Sequence, residues 1–216
     1  LQNKNDFALI NNKLKKIFYE KKYLGKLVSL KSNSYKKIKK NIKNDYLKSN
    51  INDQNMNFVF SLSKILKIKD KNFVNAMNTF IGLAHRYEIF LKKKNITFIN
   101  DSKATSFESS KAALSSNKNI FWIVGGLPKE KDKIDLKNIR RNIIKSYIIG
   151  KNINYFKKQL NNKVNFSITK NLKNSIVEVL KDVRLFKKDC SIVLFSPAAA
   201  SFDQFRNFEI RGNKFK

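Results

Sequence analysis

Apolar and polar positions change rhythm along this chain, and the change divides it. Between Asp53 and Leu66 the apolar residues Phe58, Leu62, Ile65 and Leu66 recur every three or four positions, and Phe73, Ala76, Met77 and Phe80 repeat the spacing after Asp70. That period puts them on one face of a helix. Residues 51–83 therefore predict a helical hairpin, with Asp53 as a cap and Gly82 as the stop. After Arg86 the rhythm shortens. Tyr87–Leu91, Ile96–Ile99, Ile120–Val124, Ser146–Gly150, Val164–Ile168 and Cys190–Phe195 read as strands. Between them, helical spacing recurs at Ala104, Phe107, Lys111 and Leu114, over residues 136–145 (Leu136, Ile139, Ile143, Ile144), around Phe156 and Leu160, and from Leu172 to Leu185. Such alternation predicts an α/β domain with a mostly parallel sheet. The dense run before Ser196 is the pattern of a strand buried on both faces. Residues 1–50 are thinner: Phe7–Ile10 and Lys26–Leu30 predict short strands, and Ile38 and Ile42 lie one turn apart in a possible helix. These pieces hold too little apolar surface to fold alone.

Composition narrows the function classes. The 216 residues allow one or two domains, and 42% hydrophobic content allows a core. A net charge of +30 invites a nucleic-acid reading, but lysine is spread through every segment. That spread favours compositional drift over a binding footprint, which would cluster on one face. The eighteen phenylalanines fall mostly at core spacing, which favours packing over base stacking. With one histidine and one cysteine, neither a disulfide nor a zinc site is expected, and Cys190 at a strand start reads as buried and inert. No run is long enough for a membrane span, and a cytoplasmic location is the default.

Three polar loops follow predicted strands. Asp101, Lys103 and Thr105 follow the first; Gly125, Gly126 and Lys129 follow the second; Ser196, Ser201 and Arg206 follow the last. In open α/β sheets, loops at the strand C-termini form the ligand crevice. Two lysines with backbone N–H groups suit carboxylates or phosphates, and Asp101 could accept from a ribose or orient a lysine. Plainer roles fit the same residues. Asp101 or Ser102 fits a helix cap, Gly125-Gly126 a turn, Lys129 and Thr105 the surface, and His85 a packed ring.

Taken together, these motifs resemble the C-terminal portion of the Mur ligases, and within them the branch that adds D-glutamate. The resemblance rests on the runs from Thr79 to Glu88, from Ile99 to Thr105 and from Leu194 to Gly212, with a weaker Gly125–Lys129 element. It implies a Rossmann-like C-terminal domain over 84–216, lacking its last helix, preceded over 1–83 by the tail of a central ATPase domain. It also implies ATP-dependent ligation of D-glutamate to UDP-N-acetylmuramoyl-L-alanine through an acyl phosphate, with ATP and Mg2+ as cofactors. By similarity, Asn57, Arg86 and Asp101 contact the nucleotide, and His85, Arg86 and Lys103 line the reaction cleft. Thr105, Lys129, Ser201, Phe202 and Phe208 hold D-glutamate.

The sequence also departs from the family pattern. Asp53-Gln54, Leu127-Pro128 and Ala199 stand where the family has His-Asn, Asp-Gly and Cys. No GxxGK[ST] phosphate loop occurs, and the magnesium ligands of the central domain are missing. The chain is thus expected to be part of a ligase whose N-terminal half lies elsewhere, inactive alone, and monomeric when complete, with no membrane or specific nucleic-acid partner. The alternatives are another Mur or folylpolyglutamate-type amide ligase, or a basic nucleic-acid-binding module.

Overall fold

A computed structural model describes residues 3–21, 23–30, 34–49, 52–186 and 190–216. Ile51, where the hairpin is expected to begin, and Asp189, just before the last strand, lie outside the described residues. The chain divides into two compact units, Leu1–Ile81 and Gly82–Lys216.

The first unit opens with β1 (Phe7–Ile10) and β2 (Lys26–Ser29), paired in parallel across α1 (Lys15–Glu20). Three helices follow: α2 (Ser34–Lys39), the single turn α3 (Asp45–Lys48) and α4 (Asp53–Ile65). A fifth, α5 (Asp70–Thr79), completes the predicted hairpin. Tyr35, Ile38, Ile42, Leu47, Met56, Phe60 and Phe73 bury one small core between these helices. Phe60 and Phe73 meet edge to face at 5.1 Å, which locks α4 against α5. The helix ends differ from expectation. Asp53 sits inside the first turn of α4 and pairs with Lys39 at 2.6 Å, with Asn52 in the cap position. Helix α5 ends before Gly82, because the Asn44 side-chain amide takes the Met77 carbonyl (3.2 Å) and that of Phe80. Those contacts satisfy carbonyls that a glycine turn would otherwise serve.

In the second unit six strands form one sheet. They are β3 (Glu88–Lys93), β4 (Ile96–Asn100), β5 (Ile120–Gly125), β6 (Ile143–Ile149), β7 (Phe166–Lys170) and β8 (Ser191–Phe195), in the order β3-β4-β8-β5-β6-β7. Only β3 runs antiparallel, as the hairpin partner of β4, and its exposed Lys92 and Lys93 lie on the sheet edge. The four remaining pairings are parallel. Helices α6 (Phe107–Ser116), α7 (Ile153–Leu160) and α8 (Leu172–Leu185) form the crossovers, and α9 (Phe208–Phe215) closes the unit. Odd positions of β5, Phe121 and Ile123, join Tyr147, Val179, Val183, Phe195 and Phe215 in the core beneath α8 and α9. Even positions, Trp122 and Val124, point to the opposite face, as a period of two requires, and are equally buried.

Two expectations are corrected here. Residues 136–145 do not form an amphipathic helix. Leu136 and Ile139 are buried from a turn, a 3-10 turn spans Arg140–Asn142, and Ile143 already begins β6. The β-branched Ile143-Ile144 pair fits a strand better than a helix, and a short apolar run does not reveal its own period. Cys190 is exposed, because the buried run of β8 starts one residue later. Beyond the Ser196 loop, to which the sequence pattern assigns no element, residues 208–215 are helical: Asn207 caps α9 by accepting the Ile210 N–H at 2.8 Å.

Candidate functional site

Because β4, β8 and β5 are parallel neighbours, their C-terminal loops open on one edge of the sheet. Buried polar groups gather there. Asp101, the first residue after β4, receives the Tyr87 N–H at 3.0 Å and the Ser196 hydroxyl at 2.7 Å. Ser196 follows β8; its Oγ lies 2.8 Å from Ser110 Oγ on α6, and its carbonyl accepts the Trp122 indole N–H at 2.7 Å. One carboxylate thus ties the ends of two strands together. Burial, opposed by these hydrogen bonds and by the charge of Arg86, raises the Asp101 pKa to about 6. Asp101 is therefore not the helix cap: Ser106 caps α6, its Oγ accepting the Ser109 N–H.

The loop after Asp101 is held from below. The Ser102 hydroxyl donates to the Phe208 carbonyl at 2.8 Å and accepts from Arg211 Nε at 3.1 Å. The Lys103 N–H donates to the His85 carbonyl at 2.9 Å. Its ammonium lies outside, 3.8 Å over the Phe208 ring. Thr105 is half-buried, one residue before the α6 cap. Arg86 is exposed beside this loop, close enough for its charge to act on Asp101.

His85 takes a different place from the open residues. Its ring is buried, with Nδ1 3.1 Å from the Asn100 amide and 3.9 Å from Glu88. It lies flat on α9, where a Cβ at Gly212 would sit 2.2 Å from Nδ1. Only glycine lets the helix backbone come so close. Desolvation, helped by Lys216, lowers the histidine pKa, so the ring is held neutral.

Leu127 and Ala200 exchange backbone hydrogen bonds at 2.9 Å, which zips the loop after β5 to the loop after β8. Gly126 makes this possible. Its φ is +140°, and a Cβ there would lie 2.4 Å from the Ala200 carbonyl oxygen. Lys129 extends exposed from this zipped loop, Ser201 is buried in the facing one, and Phe202 is 70% exposed beside it. Asp203 accepts the Lys151 N–H at 2.8 Å, and Gln204 donates to the Lys170 carbonyl at 3.0 Å, so the wall continues across β6 and β7.

The edge thus brings together Arg86, Asp101, Lys103, Thr105, Lys129, Ser201, Phe202 and Phe208 within one unit. Asn57 lies half-buried on α4 in the other unit. No motif singles out Arg211, although its spacing from Phe208 and Phe215 sets a charge on an apolar helix face. Cationic and hydroxyl groups around backbone N–H donors suit a small dianion. Among the described residues no three His, Cys, Asp or Glu side chains come together as a metal site. None of the described helices is long and apolar enough to cross a membrane.

Comparison with known proteins places the sequence and the fold. No family model matches the chain. The UDP-N-acetylmuramoylalanine–D-glutamate ligase of Bartonella henselae is 39% identical over 169 residues, 78% of this chain and 36% of that protein. The ligase of the same name from the Wolbachia of Brugia malayi is 39% identical over 164 residues, 76% of this chain and 33% of that protein. Among solved structures, the MurF ligase of Thermotoga maritima in complex with ADP superposes with a TM-score of 0.51 at 14% identity, over 76% of this chain and 36% of that one. That likeness shows a shared fold. The chain spans about a third of the length of the curated relatives it matches. Over that third, this chain is similar in sequence to the D-glutamate-adding Mur ligases and carries the mostly parallel, Rossmann-like sheet of a Mur ligase domain.

Proposed function

We propose that the second unit is the amino-acid-binding part of an ATP-dependent ligase that joins D-glutamate to UDP-N-acetylmuramoyl-L-alanine in peptidoglycan synthesis. The observation that carries this reading is the zipped edge, where Thr105, Lys129 and Ser201 come from three adjacent strand ends, in a chain 39% identical to ligases of that name. D-glutamate is a dianion with one nucleophilic amine. Lys129 and the hydroxyls of Thr105 and Ser201 take its carboxylates, while the exposed Phe202 and the half-buried Phe208 wall the pocket.

In the reaction, ATP supplies a phosphoryl group that activates the muramoyl-alanine carboxylate. The D-glutamate amine attacks the acyl carbon, the C–N bond forms as the C–O bond to phosphate breaks, phosphate leaves with that electron pair, and the amine gives up a proton to solvent. The chain's own residues position and stabilise. Arg86 and Lys103 supply positive charge where negative charge develops. Asp101 faces the nucleotide and fixes the β4 loop to β8. His85, neutral and buried, acts through its carbonyl on Lys103 as a positioning residue. The first unit is read as the end of a central ATPase domain, and Asn57 on its α4 is assigned to the nucleotide by sequence similarity alone.

The test joins this chain to the upstream domains of the Bartonella relative and follows D-glutamate-dependent phosphate release. Lys129→Ala and Ser201→Ala are expected to raise the D-glutamate KM by roughly tenfold or more, the size of a lost charge-assisted hydrogen bond, with the ATP KM unchanged. An unchanged D-glutamate KM in both variants would sink the assignment.

A further inference from the structure

Arg211 has no place in the roles given above, yet it is 1% exposed. It shares the inward face of α9 with Gly212 and Phe215. A buried guanidinium is costly unless its N–H groups and its charge are matched. Two of its nitrogens are matched by one residue: Nε donates to Ser102 Oγ at 3.1 Å, and the second terminal nitrogen donates to the Ser102 carbonyl at 2.7 Å. The remaining nitrogen, NH1, is buried without a hydrogen-bond partner. It faces the glycine loop, 3.2 Å from where a Cβ on Gly126 would stand. Among the described residues no carboxylate forms an ion pair with Arg211. The Asp203 charge acts on it, but that carboxylate is spent on the Lys151 N–H. Desolvation accordingly depresses its pKa to about 10.

The guanidinium therefore lies beneath all three loops of the edge. Ser102 leads into Lys103 and Thr105, Gly126 leads towards Lys129, and Ala200, bonded to Leu127, leads into Ser201. We propose that Arg211 is a positioning and specificity-determining residue: a buried, unneutralised cation that favours an amino acid bearing a second carboxylate over its neutral isostere, without touching it. The inference rests on the D-glutamate reading and adds a cause for the choice of a dianion. A unit charge in a protein interior acts over several ångströms, and salt screens it far less than a surface lysine. The fork to Ser102 holds the Lys103–Thr105 loop in register with that field.

The test titrates the whole 216-residue chain with D-glutamate and with D-glutamine, following 15N–1H amide spectra. The unaltered chain is expected to prefer D-glutamate. Arg211→Met should cut the ratio of the two affinities by roughly tenfold, the scale of a unit charge acting through an interior of effective dielectric near 20. Arg211→Lys keeps the charge and loses the fork, so both affinities should fall together while most of the ratio survives. Equal losses for both ligands in Arg211→Met would reduce Arg211 to fold support and overturn the inference. If the spectrum shows that Arg211→Met does not fold, the lysine variant decides: a retained ratio supports the inference, and a lost ratio overturns it. An unaltered chain that binds both ligands equally overturns the inference and leaves an amino-acid site standing. One that binds neither overturns the D-glutamate reading and the inference with it.

Discussion

The two units bury polar groups in different ways, locally in one and across the sheet edge in the other. Among the described residues of the first unit the buried polar side chains, Asn52 and Ser63, serve nearby backbone: Asn52 donates to the Tyr46 carbonyl at 2.6 Å and Ser63 to that of Phe60 at 2.7 Å. In the second unit His85, Asn100, Asp101, Ser102, Ser110, Ser196, Ser201 and Arg211 are buried around one end of the sheet. Several of their partners are about a hundred residues away in sequence, as with Ser196 on Asp101 and Arg211 on Ser102. Helix capping needs only local bonds. A preorganised edge needs distant strand ends held at fixed separations, and buried polar pairs do that at a cost in desolvation.

Substitutions can break this contrast, and the largest effect belongs to Gly126→Ala. Its new methyl would meet the Ala200 carbonyl at 2.4 Å on a backbone at φ +140°. The two zipped loops must part, at about 3 kcal/mol or more in urea unfolding, and D-glutamate binding should go with them.

Asp101 is next. Its folded pKa of about 6 lies above its ordinary 3.8. Between those values the folded chain holds a proton that the unfolded chain has released, so this stabilising contribution is full below about pH 4 and lost as pH rises through about 6. Asp101→Asn should therefore stabilise the second unit at pH 8 by up to about 3 kcal/mol and change little at pH 4, while weakening nucleotide use in the complete ligase. Equal stability shifts at both pH values would deny that Asp101 is buried as a charge.

In the first unit, Asn44→Ala should cost about 1 kcal/mol, because it removes both the α3 cap to Leu47 and the donors to Met77 and Phe80. No effect on D-glutamate binding is expected; a large one would erase the distinction between the units. The smallest effect is Ser146→Ala on β6, where the buried hydroxyl has no partner. It should be neutral or stabilise by less than about 1 kcal/mol in urea unfolding.

Most of the second unit was legible in the sequence because strand period and helix period alternate cleanly from Tyr87 to Phe195. The candidate loops were legible for the same reason: each follows an apolar run and so falls at a strand C-terminus. Residues 136–145 were misread because four apolar positions over ten residues fit a helix face as well as a turn running into a strand. The partners of Asp101 could not be read, since a carboxylate before a helix looks like a cap whether or not Ser196 lies opposite. Arg211 carries a signal, a charge at the position of an apolar stripe on α9, which becomes meaningful only once the guanidinium is found beneath Ser102.

On the proposed reading, three adjacent strand ends form one D-glutamate pocket. The most direct measurement maps amide shifts of the whole chain on adding D-glutamate, beside the same titration of Lys129→Ala. Shifts are expected at Lys103–Thr105, Gly126–Lys129 and Ser201–Phe208, weakened about tenfold in affinity by Lys129→Ala. Shifts confined to the opposite edge of the sheet, or an affinity indifferent to Lys129, would contradict it.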